Sequence, residues 1–313
     1  MTTATSALRR AWLGLFALGL ALAMTLSTTA SAEAAAPERA NGNRPAHAAS
    51  CGRGVPLNHV SIQLWTFNSA INQHGIEHVL TELSRMGYRN IEPYNYHGLS
   101  ATEFKELADS LHLRIRSRHG STNEANWDTQ LAQARMFNQR WTGSGGFASP
   151  GIGSYENVLA TAETLNRLGQ RSVRNGTGKV FGHNHANEFT TMYVDAQGDG
   201  TLKSAWQLLV ENTDPRWVTF QLDVGWAEAA GEDSVELLER FGDRIELLHV
   251  KDLVWNANGS HSWVPVGDGV VDWTAVFQAA QGNVRLYVVE QDFPADAFET
   301  AQRSIDYLSC LNY

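Results

Sequence analysis

The sequence predicts a single parallel α/β domain closed as a (β/α)8 TIM barrel, and three observations predict it. Between residues 51 and 313 the chain reads as eight strand-then-helix units with short connections and no second composition regime. The strand candidates are apolar, β-branched runs that end abruptly in ionisable residues. That pattern suits strands buried on both faces with chemistry at their carboxyl ends. The span is also close to the ~250 residues typical of this fold, and long enough to bury a sizeable core. An open doubly wound sheet would normally carry a glycine-rich fingerprint after its first strand, and Trp65-Thr66-Phe67-Asn68 is not glycine-rich.

The clearest unit is a strand over 218–223, an amphipathic helix over 234–241 and a strand over 245–252. These are strands 6 and 7 of the series. Before them, strand 1 covers 59–65 with a helix over 76–86, and strand 2 covers 88–92 with a helix over 101–111. Strand 3 runs over 113–118 into His119-Gly120, followed by a helix over 127–137. Strand 4 is short, 139–142, and enters Gly143-Ser144-Gly145-Gly146. That run lacks the Gly-Lys-Ser/Thr ending of a phosphate loop and reads as a flexible turn. A long helix over 155–173 leads to strand 5 at 179–183, then a long loop with turn chemistry at Asp199-Gly200 and a helix over 202–211. Strand 8 covers 285–290, and the last helix runs over 295–308.

The N-terminus reads as a targeting segment. Arg9-Arg10 make a positive start, residues 11–26 an apolar run too short to span a membrane, and Ala30-Ser31-Ala32 a cleavage site. Residues 1–32 are therefore expected to be a signal peptide, 33–50 a flexible leader and 51–313 the catalytic barrel of a secreted, extracellular protein. After cleavage no membrane attachment is expected. The two cysteines, Cys51 and Cys310, bracket the barrel. Export favours a disulfide between them. In a barrel the first strand starts and the last helix ends on the same bottom face, so they can meet there, remote from the chemistry. The full chain carries net charge −9, and residues 1–32 hold two arginines and no acids, which leaves −11. Such a chain repels phosphate backbones, so nucleic acid is not an expected partner.

Six of the eight strand tips carry carboxylates or imidazoles: Glu92, His119, His183 with His185, Asp223, His249 with Lys251, and Glu290. One such group would be unremarkable; His119 alone could cap a turn, and Lys251 could simply pair with Asp252. Together, Asp and Glu oxygens with His nitrogens suit one divalent ion, Mn, Co, Zn or Mg, and the absence of cysteine ligands points away from a structural zinc. Glu92, followed by Pro93, Tyr94 and Tyr96, reads as a pocket rim that contacts substrate, and so does His119. Trp65, Trp226, Trp255 and Trp263 fall at or beyond strand tips, where flat rings suit the C–H faces of a sugar. Trp141, Trp206 and Trp217 read as core.

The motifs Gly87-Tyr88-Arg89-Asn90-Ile91-Glu92, His183-Asn184-His185 with Glu188-Phe189, Leu222-Asp223-Val224-Gly225-Trp226, Leu248-His249-Val250-Lys251-Asp252, Pro265-Val266-Gly267-Asp268-Gly269 and Val289-Glu290-Gln291-Asp292 run in order along strands 2 to 8. In this order the chain resembles the xylose-isomerase-like TIM-barrel superfamily of sugar isomerases and epimerases, which also holds repair nucleases of the endonuclease IV type. The resemblance implies a metal held by Asp223, His249 and Glu290. At the fourth ligand position the family's Glu is replaced by His183. An imidazole can bind a metal but substitutes poorly for one of two proton-shuttling carboxylates, and Glu188 could stand in only if its loop folds back. The Asp-x-x-His pattern of several relatives is absent too, with Trp226 in its place, and the extra histidines of the nucleases are lacking. The resemblance thus implies a metal-dependent isomerase or epimerase acting on a non-phosphorylated sugar or keto-sugar by proton abstraction next to a carbonyl. Glu290 would be acid/base and ligand, with His183 or His185 across from it, and Lys251 would hold an oxyanion. The alternatives are a lyase or dehydratase on keto-glycosides using the same enediolate chemistry, and a carbohydrate-binding barrel without turnover.

Overall fold

A computed structural model describes Cys51 and residues 54–313. The expected signal peptide and leader lie outside the described residues. Six parallel strands form the sheet, in the order Val60–Ile62, Leu286–Val289, Ile245–Val250, Val218–Asp223, Lys179–His183 and Trp141–Gly143. Isolated parallel bridges Gln63–Glu92, Asn90–Arg114 and His119–Gly143 carry the ring across the gap between its two ends. Backbone bonds from Glu92 N–H to Ile62 O (2.8 Å), Ile91 N–H to Arg114 O (2.9 Å) and Gly120 N–H to Gly143 O (2.9 Å) make the same connection. The sequence's strands 2 and 3 are thus single bridges rather than ladders. Asn90 explains part of this, because its side chain, not its backbone, bonds the Val60 carbonyl at 2.7 Å.

The helices form where apolar spacing and caps coincide. Ile76–Met86 buries Ile76, Val79, Leu80 and Leu83, a 3.6-residue stripe, and stops at Gly87, whose φ of +104° suits glycine. Ala101–Ser110 opens on a capping box of Ser100 and Glu103. The helices Ser234–Phe241, Trp273–Ala280 and Ala297–Cys310 start at Asp233, Asp272 and Asp296, each accepting backbone N–H groups. Among the described residues no helix is long and apolar enough to cross a membrane. Cys51 and Cys310 are disulfide-bonded, with Cα atoms 4.6 Å apart.

Two regions differ from the sequence expectation. The helix expected over 202–211 begins only at Ala205. Leu202–Ser204 instead pairs antiparallel with Met192–Val194, pinned by Lys203, whose ammonium reaches Asp195 (2.9 Å) and Glu211 (2.7 Å). Asp199-Gly200 is the turn of that hairpin, with Gly200 at φ +74°. Beyond Val250 the chain continues as Asp252–Trp255, paired with His261–Val264. Asp252 organises the segment that follows by accepting Gly267 N–H (2.9 Å), Gly269 N–H (3.2 Å) and the Trp273 indole N–H (2.8 Å). A Cβ on Gly269 would stand 2.0 Å from Asp252 Oδ1, so that carboxylate demands glycine there.

Candidate active site

Strand alternation sorts the barrel interior into layers. Phe181, Leu247, Leu286 and Val288 join Trp141 in an apolar cluster separate from the main core. Two residues further along the same strands, at the carboxyl ends, stand His183, His249 and Glu290, with Asp223 on the strand between. Outward-facing neighbours Val180, Phe220, Leu222, Leu248 and Val289 pack into the main core.

Glu92 is fully buried at the heart of this polar layer. It accepts from Gln63 Nε2 (2.9 Å), Gln221 Nε2 (3.0 Å), His249 Nε2 (2.8 Å) and the Ser117 hydroxyl, with His119 Nε2 at 3.1 Å. A carboxylate can only accept, so Gln221 must turn its NH2 toward Glu92 and its oxygen toward the imidazoles. Gln221 Oε1 then receives His119 Nε2–H (2.8 Å) and His183 Nδ1–H (3.1 Å). That fixes the His183 tautomer: Nε2 is left with its lone pair, 4.0 Å from Asp223 Oδ2. Burial, reinforced by His249 and His119, holds the His183 imidazole well below its ordinary pKa, so it stays neutral. His249 behaves oppositely. Burial would lower its pKa, but Glu290 (2.9 Å from Nδ1), Asp223 and Glu92 outweigh burial and raise it well above the usual value. Glu92 and Glu290 are held well below the carboxylate range: burial opposes ionisation, and His119 with His249, or Lys251 with His249, overcome it.

The donor set fits a divalent cation. Ligand atoms of Asp223, His249 and Glu290 all lie within 4.8 Å of one another, as do those of His119, His183 and His249. Asp223 Oδ1 accepts Trp226 N–H at 2.9 Å, but its buried Oδ2 has no hydrogen-bond partner. Such an oxygen is costly without a cation, and His249 Nδ1 (3.6 Å) and Lys251 Nζ (3.5 Å) face it. Glu92 then occupies the position of the outer carboxylate that orients a ligating histidine.

A cavity of about 340 Å³ opens above this layer, lined among others by Trp65, Tyr94, His119, His183, His185 and Glu290. Lys251 and Asp292 line it too. Lys251 is buried yet firmly cationic, because Glu290 (3.0 Å), Asp223 and Asp292 (2.7 Å) outweigh the cost of burial. It does not pair with Asp252. Burial raises the Asp292 carboxyl despite Lys251 beside it.

Two expectations differ from the structure. Glu92 does not line the cavity; both its oxygens are engaged below it and the residue has no exposed surface. Trp226 and Trp263 do not line the cavity. They wall Lys251 from behind, with its Nζ 5.3 and 4.9 Å from their ring centres. The condition set for Glu188 is not met: it accepts His185 N–H at 2.7 Å and does not line the cavity. Gln221 and Asp292 belong to the site without having been assigned a role from the sequence. An amide inside the otherwise β-branched and apolar run 218–222 was the available signal for the first, and a second acid two residues after Glu290 for the second.

A family model described as the xylose isomerase-like TIM barrel matches residues 80–308. The chain belongs to that family. This xylose isomerase-like barrel is 29% identical over 164 residues to an inosose dehydratase of Geobacillus thermodenitrificans, a match covering 46% of this chain and 51% of the relative. The chain thus spans about half the length of that curated relative. Among solved structures it resembles a sugar phosphate isomerase/epimerase of Parabacteroides distasonis, with TM-score 0.66, 23% identity, and 82% and 98% of the two chains covered. It also resembles the IolI protein with a bound zinc atom, at TM-score 0.60 and 15% identity, covering 79% and 95%. At these identities the structural likenesses speak for the fold of the xylose isomerase-like barrel.

Proposed function

We propose that this barrel is a divalent-metal-dependent dehydratase of a non-phosphorylated keto-polyol or keto-sugar. The carrying observation is the buried Asp223 Oδ2, without a hydrogen-bond partner and set among His249 Nδ1, Glu290 and the His183 lone pair. A divalent ion held by Asp223, His249, Glu290 and His183 would supply Lewis acidity that stabilises the enediolate formed when the proton next to the carbonyl leaves. Lys251 is too firmly charged to act as a base, and its fixed ammonium faces developing negative charge on the substrate oxygen. His185, lining the cavity, and Glu290 are the groups placed to move protons at the substrate carbons. The name of the Geobacillus relative supports elimination of water, and so does the imidazole of His183 where two-base epimerases need a second carboxylate. Lys251 is the one lysine among the residues lining the cavity, no arginine joins it, and it is paired with carboxylates, which supports a substrate without phosphate. Secretion is part of the same proposal; the Cys51–Cys310 disulfide supports an oxidising compartment.

A second reading, epimerisation, draws on the Parabacteroides neighbour. One experiment separates the two. Metal-supplemented protein is incubated with an inosose and with keto-hexoses in D2O and followed by NMR and ultraviolet absorbance. Loss of water with a new conjugated carbonyl supports the dehydratase. Deuterium at the α-carbon with a changed configuration and no loss of water supports the epimerase. Neither product with any substrate refutes the enediolate mechanism.

A further inference from the structure

At the end of the barrel opposite the candidate active site, a second cavity of about 550 Å³ opens between the N-terminal ends of the strands. Arg116, Arg140, Lys179 and Arg285 line it, with Trp141 and Glu246. Glu246 arrives there through a register shift: Phe220 pairs with Ile245 and Gln221 with Leu247, so Glu246 is the extra residue of a bulge. It is the one carboxylate in the lining, and each of its oxygens is already engaged by another residue. Oε1 accepts from Lys179 Nζ and Oε2 from the Trp141 indole, each at 2.6 Å. Neither oxygen receives a hydrogen bond from an arginine. Arg116 donates from Nε to Asn90 Oδ1 at 3.2 Å. The Arg140 and Arg285 guanidiniums have no side-chain hydrogen bond or ion pair among the described residues. Arg114 and Arg140 stand close enough to Arg116 to add to the effect of burial in lowering its pKa.

Three guanidiniums thus line one cavity, in a chain of net charge −9, and two of them, Arg140 and Arg285, are exposed and free to meet an anion. The planar fork of arginine matches the oxygens of a phosphate group in paired hydrogen bonds. The apolar cluster of Trp141, Phe181, Leu247, Leu286 and Val288 separates this cavity from the catalytic layer. We propose that the cavity at the base of the barrel is a binding site for a compact small molecule carrying two or more phosphate groups. This site is independent of the dehydratase reading, since none of its residues touches the metal-ligand set.

The test is isothermal titration of the full mature chain at low ionic strength with tripolyphosphate, with citrate as a carboxylate control. Arg140→Gln/Arg285→Gln, Glu246→Gln and Asp223→Ala variants are titrated alongside, each checked for folding by its thermal transition. One-to-one binding is expected, weakened about tenfold or more in the arginine variant, as for loss of charge-assisted phosphate contacts. Glu246→Gln, which removes the opposing charge, tightens it, and Asp223→Ala leaves it unchanged because the metal site is not involved. Absence of saturable binding, an arginine variant that binds as well as the natural chain, or loss of binding in Asp223→Ala overturns the proposal. Citrate binding as tightly as tripolyphosphate overturns the phosphate assignment.

Discussion

Glu92→Gln isolates the contribution of the buried carboxylate beneath the site. The substitution keeps the shape and one accepting oxygen for Gln63, turns an NH2 toward the Ser117 hydroxyl, which can accept it, and removes the charge that faces His249 at 2.8 Å. Breaking a buried pair costs about 3–5 kcal/mol. His249 keeps Glu290 on its other nitrogen, so the lower end applies, about 3 kcal/mol. With an unfolding entropy of about 2.1 cal/mol/K per residue over roughly 260 residues, that lowers Tm by about 5–6 °C. Loss of the outer carboxylate should also weaken metal binding about 10–100-fold. Calorimetric melting of the metal-free protein and titration with Mn²⁺ or Zn²⁺ read the two effects separately. A variant with unchanged Tm and unchanged metal affinity would refute the account of Glu92 as the group that orients His249.

Lys251→Met should abolish turnover while metal affinity holds or rises, because it removes a cation 3.5 Å from Asp223 Oδ2; steady-state kinetics with a metal titration checks both. Glu92 and Glu290 are held below the ordinary carboxylate value of 4.5, so the unfolded chain takes up protons first as pH falls. Stability of the metal-free protein should therefore be full above that value and fall below it, and Glu92→Gln should flatten the Tm profile between pH 6 and 3. Reducing the Cys51–Cys310 bond, which closes a sequence separation of 259, should cost about 5 kcal/mol in the chain-entropy model without changing metal stoichiometry. Melting with and without reductant measures it.

The parts of the fold that follow from period and punctuation were legible in the sequence: the Val218–Asp223 and Ile245–Val250 strands, the capped helices and the ionisable tips. What was not legible depended on side chains replacing backbone. Asn90 bonds a neighbouring strand through its amide, and Lys203 ties Leu202–Ser204 into a hairpin that helix-like spacing concealed. The site divides the same way. Position at a strand tip placed Asp223, His249 and Glu290 in one layer, but it could not tell a group facing the cavity from one facing the interior. That is why Glu92 read as a substrate contact, and why Trp226 and Trp263, whose rings cover Lys251, read as a sugar platform.

The central claim is a divalent-metal site built on Asp223. Elemental analysis of the purified protein beside Asp223→Ala, both after incubation with Mn²⁺, Co²⁺ or Zn²⁺ and desalting, tests it most directly. About one equivalent of metal in the natural chain and none in the variant is the predicted result. No metal in either, or equal metal in both, would contradict it.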